Sequence, residues 1–99
     1  MQTSTSDFLL ALGHVVRTRR KELNMIQLDL AKRADLHLTY LADIERGTRN
    51  VSVKNLLRIA DALGVALSVI FAETESRLAC GDSAIAQTRT PRSSTRQRK

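Results

Sequence analysis

Between Gln27 and Gly47 the chain reads QLDLAKRADLHLTYLADIERG, and no other stretch limits the fold as strongly. Leu30, Ala31 and Ala34 form an apolar stripe at i, i+1 and i+4, the spacing of one face of a short helix. Ala34-Asp35-Leu36 then interrupts the stripe with an aspartate, a residue that tolerates the left-handed backbone of a tight turn. A second helix begins at His37 or Thr39. At about 100° per residue, Tyr40, Leu41 and Ile44 fall on one side of it, and Thr39, Ala42, Asp43 and Arg46 on the other. Gly47 supplies the stop. Helices this short cannot each bury a core alone, so they must pack together and against others, leaving the outer stripe of the second for a partner.

Helical spacing also runs from Asp7, a suitable cap, to about Leu23, with Phe8, Leu12, Val15, Val16 and Leu23 on its apolar side. Arg17, Arg19, Arg20 and Lys21 form a basic edge, which is either a solvated face or a neighbour of a polyanion. Asn24-Met25-Ile26 breaks the pattern. The loop Thr48-Arg49-Asn50-Val51 leads to Ser52, a good cap for a fourth helix whose face is Leu56, Ile59, Ala60 and Leu63 before Gly64 ends it. A fifth is expected from about Ala66 to Ser76 or Ala79, with Leu67, Ile70, Phe71 and Leu78 near one stripe and Val65 and Val69 outside it. The fold class is therefore all-α, a compact five-helix bundle. One domain over residues 7–79 follows a flexible amino terminus (1–6) and precedes a basic tail (80–99). The Ser, Thr, Gln and Arg content of that tail predicts disorder.

Ninety-nine residues with 42% apolar content suffice for one small core. Most of the net charge of +6 lies in the tail, where five basic residues face Asp82 alone. A basic chain suits a polyanionic partner, although charge alone fits RNA, anionic lipid or solubility equally well. With aromatics at 3%, there is no stacking platform for single-stranded nucleic acid. The apolar run around Val65 to Ala72 falls far short of the roughly 20 residues that span a bilayer, and MQTSTSDF lacks a signal pattern. No membrane association and a cytoplasmic location are expected. A lone Cys80 forms no internal disulfide, and neither His14 nor His37 has partners at metal-ligand spacing. No metal, no cofactor and no enzymatic activity are expected, since no nucleophile-base pair or phosphate-cradling glycine loop occurs.

Several residues together carry a family pattern: Gln27, Leu30-Ala31, Thr39-Tyr40-Leu41, Ile44-Glu45-Arg46-Gly47, Arg49-Asn50, Ser52, Leu56 and Ile59 to Val65. In these the chain resembles the Cro/repressor-type helix-turn-helix family of bacterial and phage transcription regulators, built on a lambda-repressor-like DNA-binding domain. LHLTYLADIERGTRNVSVKNL looks in particular like the controller proteins of restriction-modification systems, which are small dimeric domains. The resemblance implies a homodimer that binds double-stranded DNA at a pseudo-palindromic operator. It sets the third helix in the major groove, with His37, Leu38, Thr39, Ala42 and Asp43 as base-reading positions. Gln27, Tyr40, Arg46, Arg49, Asn50 and Ser52 become phosphate contacts. For His37, capping the helix or touching a phosphate outranks base reading; for Tyr40, a core position or a phosphate hydrogen bond does. The family also pairs a helix-one arginine with the motif glutamate, here Arg20 and Glu45. The rival role for Arg20 is a phosphate contact.

Departures from the family pattern bear on readout. Asp35 replaces the usual turn glycine, Leu38 a frequent arginine, Ala42 a frequent serine and Val51 a common proline. With Arg46 the one candidate for a guanine-reading arginine, the remaining chemistry on the reading face is thymine-methyl packing and acceptance from a cytosine amino group, so specificity leans on DNA shape. Apolar side chains beyond the needs of one core, Val65, Leu67, Val69, Phe71 and Leu78, are the expected dimer surface. An alternative is an antitoxin that represses its own operon while its tail folds onto a toxin. A neighbouring toxin gene, or a neighbouring methyltransferase or endonuclease gene, would separate the two. The sequence leaves open the operator, activation versus repression, any effector, and whether a protein partner is RNA polymerase or a toxin.

Overall fold

The computed structural model describes residues 4–81 as five helices with short connections: α1 (Thr5–Glu22), α2 (Gln27–Ala34), α3 (Leu38–Arg46), α4 (Val53–Leu63) and α5 (Leu67–Gly81). Helix α1 starts earlier than the apolar pattern indicates. Ser4, not Asp7, is its cap: the Ser4 hydroxyl accepts from the Asp7 N–H at 3.0 Å, and Asp7 sits in the first turn, where a carboxylate suits the helix dipole. Thr5 and Ser6, expected in a flexible terminus, thus belong to α1. Helix α5 also runs past Ala79 through Cys80 to Gly81, so the expected tail boundary moves outward. The remaining tail, 82–99, and residues 1–3 lie outside the described residues.

One device closes each of the first four helices. Asn24, Asp35, Gly47 and Gly64 all adopt left-handed backbone, with φ of 59°, 59°, 76° and 76°. The N–H after each reaches back to the carbonyl five residues earlier: Met25 to Arg20, Leu36 to Ala31, Thr48 to Asp43 and Val65 to Ala60. Asp35 fills the tight turn as its chemistry allows, and Asn24 does the same at the end of α1. Helix α3 begins at Leu38 with His37 in the cap position, but the His37 side chain makes no capping bond.

The core gathers Leu12, Val16, Leu30, Leu41, Ile44, Ile59 and Ile70, one or two from each helix. Helix α1 packs on α3 and α5, while α2 packs on α4 and α3. Thr74, also wholly buried, satisfies its hydroxyl by donating to the Ile70 carbonyl at 2.8 Å. No single helix among the described residues is long and apolar enough to cross a membrane.

Candidate nucleic-acid interface

Helix α3 divides as its periodicity requires. Leu41, Ile44 and Glu45 are buried, whereas Leu38, Thr39 and Arg46 are exposed and Ala42 is half-buried between them. Its orientation is fixed from behind by a buried ion pair. The Glu45 carboxylate accepts from Arg20 Nε at 2.7 Å and from a terminal Arg20 nitrogen at 3.0 Å. The other terminal nitrogen of Arg20 donates to the Met25 carbonyl at 2.7 Å, in the turn between α1 and α2. With three of its donors engaged and its side chain buried, Arg20 forms an ion pair with Glu45 inside the domain.

Gln27 completes this cluster: its amide nitrogen donates to Glu45 Oε1 at 3.0 Å. That contact ties the first residue of α2 to the end of α3 and turns the side chain inward. The amide keeps one further N–H for an outside acceptor. Asp29 accepts from the Ile26 N–H at 3.1 Å and so caps the start of α2 from within.

At the outer end of α3 a second polar network forms. Asp43, one of the expected base-reading positions, has both carboxylate oxygens engaged in this DNA-free chain: Oδ1 by Arg46, one turn further along, and Oδ2 by Arg49 of the following loop at 3.3 Å. The Arg49 guanidinium also lies 5.1 Å from the centre of the Tyr40 ring. The Tyr40 hydroxyl accepts from Asn55 Nδ2 at 3.0 Å, leaving its own proton to donate outward. The Thr48 hydroxyl donates to the Asp43 carbonyl at 3.2 Å, holding the loop against the helix. Asn50 and Ser52 are exposed on the same loop, and Ser52 caps α4 by accepting from the Asn55 N–H at 3.1 Å. Asn55 is the participant that sequence reasoning missed. Its only signal is its place three residues after a capping serine, a position read for backbone satisfaction and not for its side chain.

The basic edge of α1 splits among different tasks. Arg20 is internal, Arg19 forms a two-pronged pair with Glu73 of α5, and Arg17 and Lys21 are exposed. The expected dimer residues also divide. Val65, Leu67 and Phe71 pack in part against the chain's own core, with the Phe71 ring 6.4 Å from that of Phe8. Phe71 and Val65 are therefore not surplus to the core, because α5 folds back across α1. Val69 and Leu78 are half-buried. Among the described residues, no group of three His, Cys, Asp or Glu side chains is placed to hold a metal ion.

A pair of short helices joined by a left-handed turn, with the second helix braced from behind and exposed in front, defines a helix-turn-helix protein. The chain belongs to the helix-turn-helix family, whose pattern matches residues 16–70. It is 52% identical over 62 residues to the control protein C.BamHI of Bacillus amyloliquefaciens, covering 62% of this chain and 76% of that protein. Among solved structures it is similar to the restriction-modification controller protein C.AhdI of Aeromonas hydrophila. That match has a TM-score of 0.63 and 35% identity, over 64% of this chain and 96% of the other. It also resembles the controller protein C.Esp1396I, solved as a tetramer on its natural 35 base-pair operator, with a TM-score of 0.67 and 34% identity over 72% of this chain and 93% of the other.

Proposed function

We propose that this chain is a sequence-specific, double-stranded DNA-binding transcription regulator of the restriction-modification controller kind, acting in the cytoplasm as a homodimer and without enzymatic activity. The observation that carries the reading is the front of α3. Leu38, Thr39 and Arg46 stand exposed around Ala42, and Arg49, Asn50 and Ser52 are exposed beside them. A major groove admits one helix, and small or apolar side chains there pack against thymine methyl groups and base edges. Leu38, Thr39 and Ala42 are the readers in this scheme, with His37 at the groove edge. Arg46, Arg49, Asn50, Ser52 and the Tyr40 hydroxyl hold phosphates on either side, joined by the remaining Gln27 N–H and the amides at the start of α2.

Two copies related by a two-fold axis set their α3 helices roughly 34–36 Å apart, which demands a pseudo-palindromic site. Selecting duplexes from a random pool with the full chain, and sequencing those retained, tests the reading. Enrichment of an inverted repeat with that spacing is expected; a pool that stays random after repeated rounds contradicts it.

A further inference from the structure

Between Leu38 and Ser52, Asp43 is the acidic side chain that is not buried, and its two oxygens hold the two arginines assigned to phosphate. The Asp43 side chain is the shielded member, 19% exposed, beside arginine side chains that are 62% and 47% exposed. Arg49 is further fixed by the Tyr40 ring, and Tyr40 in turn by Asn55 of α4. The chain Arg46–Asp43–Arg49–Tyr40–Asn55 therefore spans α3, the loop and α4 as one connected polar unit.

This unit has opposite consequences for two kinds of DNA complex. In a loose complex held by phosphates alone, the arginines stay paired with Asp43 and offer the duplex one net positive charge instead of two. In a complex with α3 seated in the groove, the same pairing delivers both guanidinium groups already ordered, so less side-chain entropy is lost on contact. We infer that Asp43 is a specificity-determining positioning residue: it does not read a base, but weakens binding to arbitrary duplex DNA while holding Arg46 and Arg49 in register for the cognate site. The inference rests on the DNA-binding reading above.

Asp43→Asn keeps the shape of the side chain and removes its charge. Titrating the wild type and this variant against a duplex selected by the wild type, and against a scrambled duplex of equal length, separates the two effects. The variant is expected to bind the scrambled duplex about fivefold more tightly, with a log-log salt slope steeper by about 0.9 per subunit, while the selected duplex gains less or loses. The ratio of the two affinities falls. Asp43→Glu, which restores the charge, is expected to recover most of the wild-type ratio, and Arg49→Ala placed on Asp43→Asn to remove the gain on scrambled DNA. An unchanged ratio, or an unchanged salt slope on scrambled DNA, in both Asp43→Asn and Asp43→Ala would overturn the inference. A wild type that selects no duplex at all would instead overturn the DNA-binding reading on which it rests.

Discussion

Gly13 in the middle of α1 lies so close to Glu45 at the end of α3 that a Cβ on Gly13 would stand 2.5 Å from the Glu45 carbonyl oxygen, and equally 2.5 Å from that of Ile44. Both obstructing atoms are backbone, so neither can swing aside. This approach seats α3 against α1 and lets Arg20, two turns further along α1, reach the Glu45 carboxylate. Gly13→Ala is accordingly expected to cost about 2–3 kcal/mol, at the upper end for an overpacked site, even though alanine is the better helix former. Chemical denaturation read by circular dichroism checks this. A variant as stable as the wild type would mean that the two helices separate freely.

The Arg20–Glu45 pair has a distinct signature. Removing one partner leaves a buried charge without compensation, which typically costs about 3–5 kcal/mol, whereas replacing both by apolar residues costs much less. Glu45→Ala alone is expected to be strongly destabilising, and Arg20→Met with Glu45→Leu to recover much of the loss. Additive losses in the double variant would show that the pair is not coupled.

How much of this was legible in the sequence depends on whether the signal is local. The tight turn at Asp35, the stops at Gly47 and Gly64 and the Ser52 cap are set by neighbours within a few residues, and each is where the chain pattern puts it. The start of α1 is ambiguous in the sequence because Ser4 and Asp7 are both good capping residues, and spacing alone does not rank them. Gly13 carries no local mark, since its requirement comes from backbone more than thirty residues away. The same holds at the candidate interface. The outward stripe of α3 follows from periodicity, but the engagement of Asp43 by Arg49, of Gln27 by Glu45 and of Tyr40 by Asn55 depends on side-chain geometry across elements. Phe71 looked surplus because Phe8, its partner, is on the far end of the sequence.

Two groups give the stability a pH dependence of the same sign. The hydrogen bond from Arg19 holds the Glu73 carboxyl below its ordinary 4.5, so its contribution is complete above that value and is lost as pH falls through the lowered one. Burial, with Arg77 and Arg17 nearby, holds His14 below its ordinary 6.5, so protonation on acidification also opposes the fold, beginning as pH drops below 6.5. The Glu73 side chain is 41% exposed and His14 lies at the surface with only part of its ring desolvated, so the effects are small, within about 1 kcal/mol for the ion pair. Thermal melts between pH 7 and pH 3 are expected to show falling stability, with Glu73→Gln flattening the lower part of the slope and His14→Gln the upper. A stability that rises on acidification would contradict both assignments.

Dimerisation is best probed at Val69, which is half-buried on α5 and not among the side chains packed on the core. Val69→Arg is expected to shift the chain towards monomer and to weaken binding to a selected duplex, because one half-site alone holds less tightly. Sedimentation velocity at micromolar concentration measures it. A wild type that sediments as a monomer would remove the basis for a two-fold site.

The reading role of α3 is tested most directly by the ratio of affinities for a selected and a scrambled duplex in Thr39→Ala and Ala42→Leu, set beside Arg49→Ala. Altering a base contact typically costs roughly 1–3 kcal/mol on the preferred site alone, whereas losing a phosphate contact weakens every sequence and lowers the salt slope by about 0.9. The expected result is a fall in the affinity ratio for Thr39→Ala and Ala42→Leu, and for Arg49→Ala a loss common to both duplexes. If Thr39→Ala and Ala42→Leu both leave the ratio where the wild type has it, α3 does not lie in the groove and another surface of the chain reads the DNA.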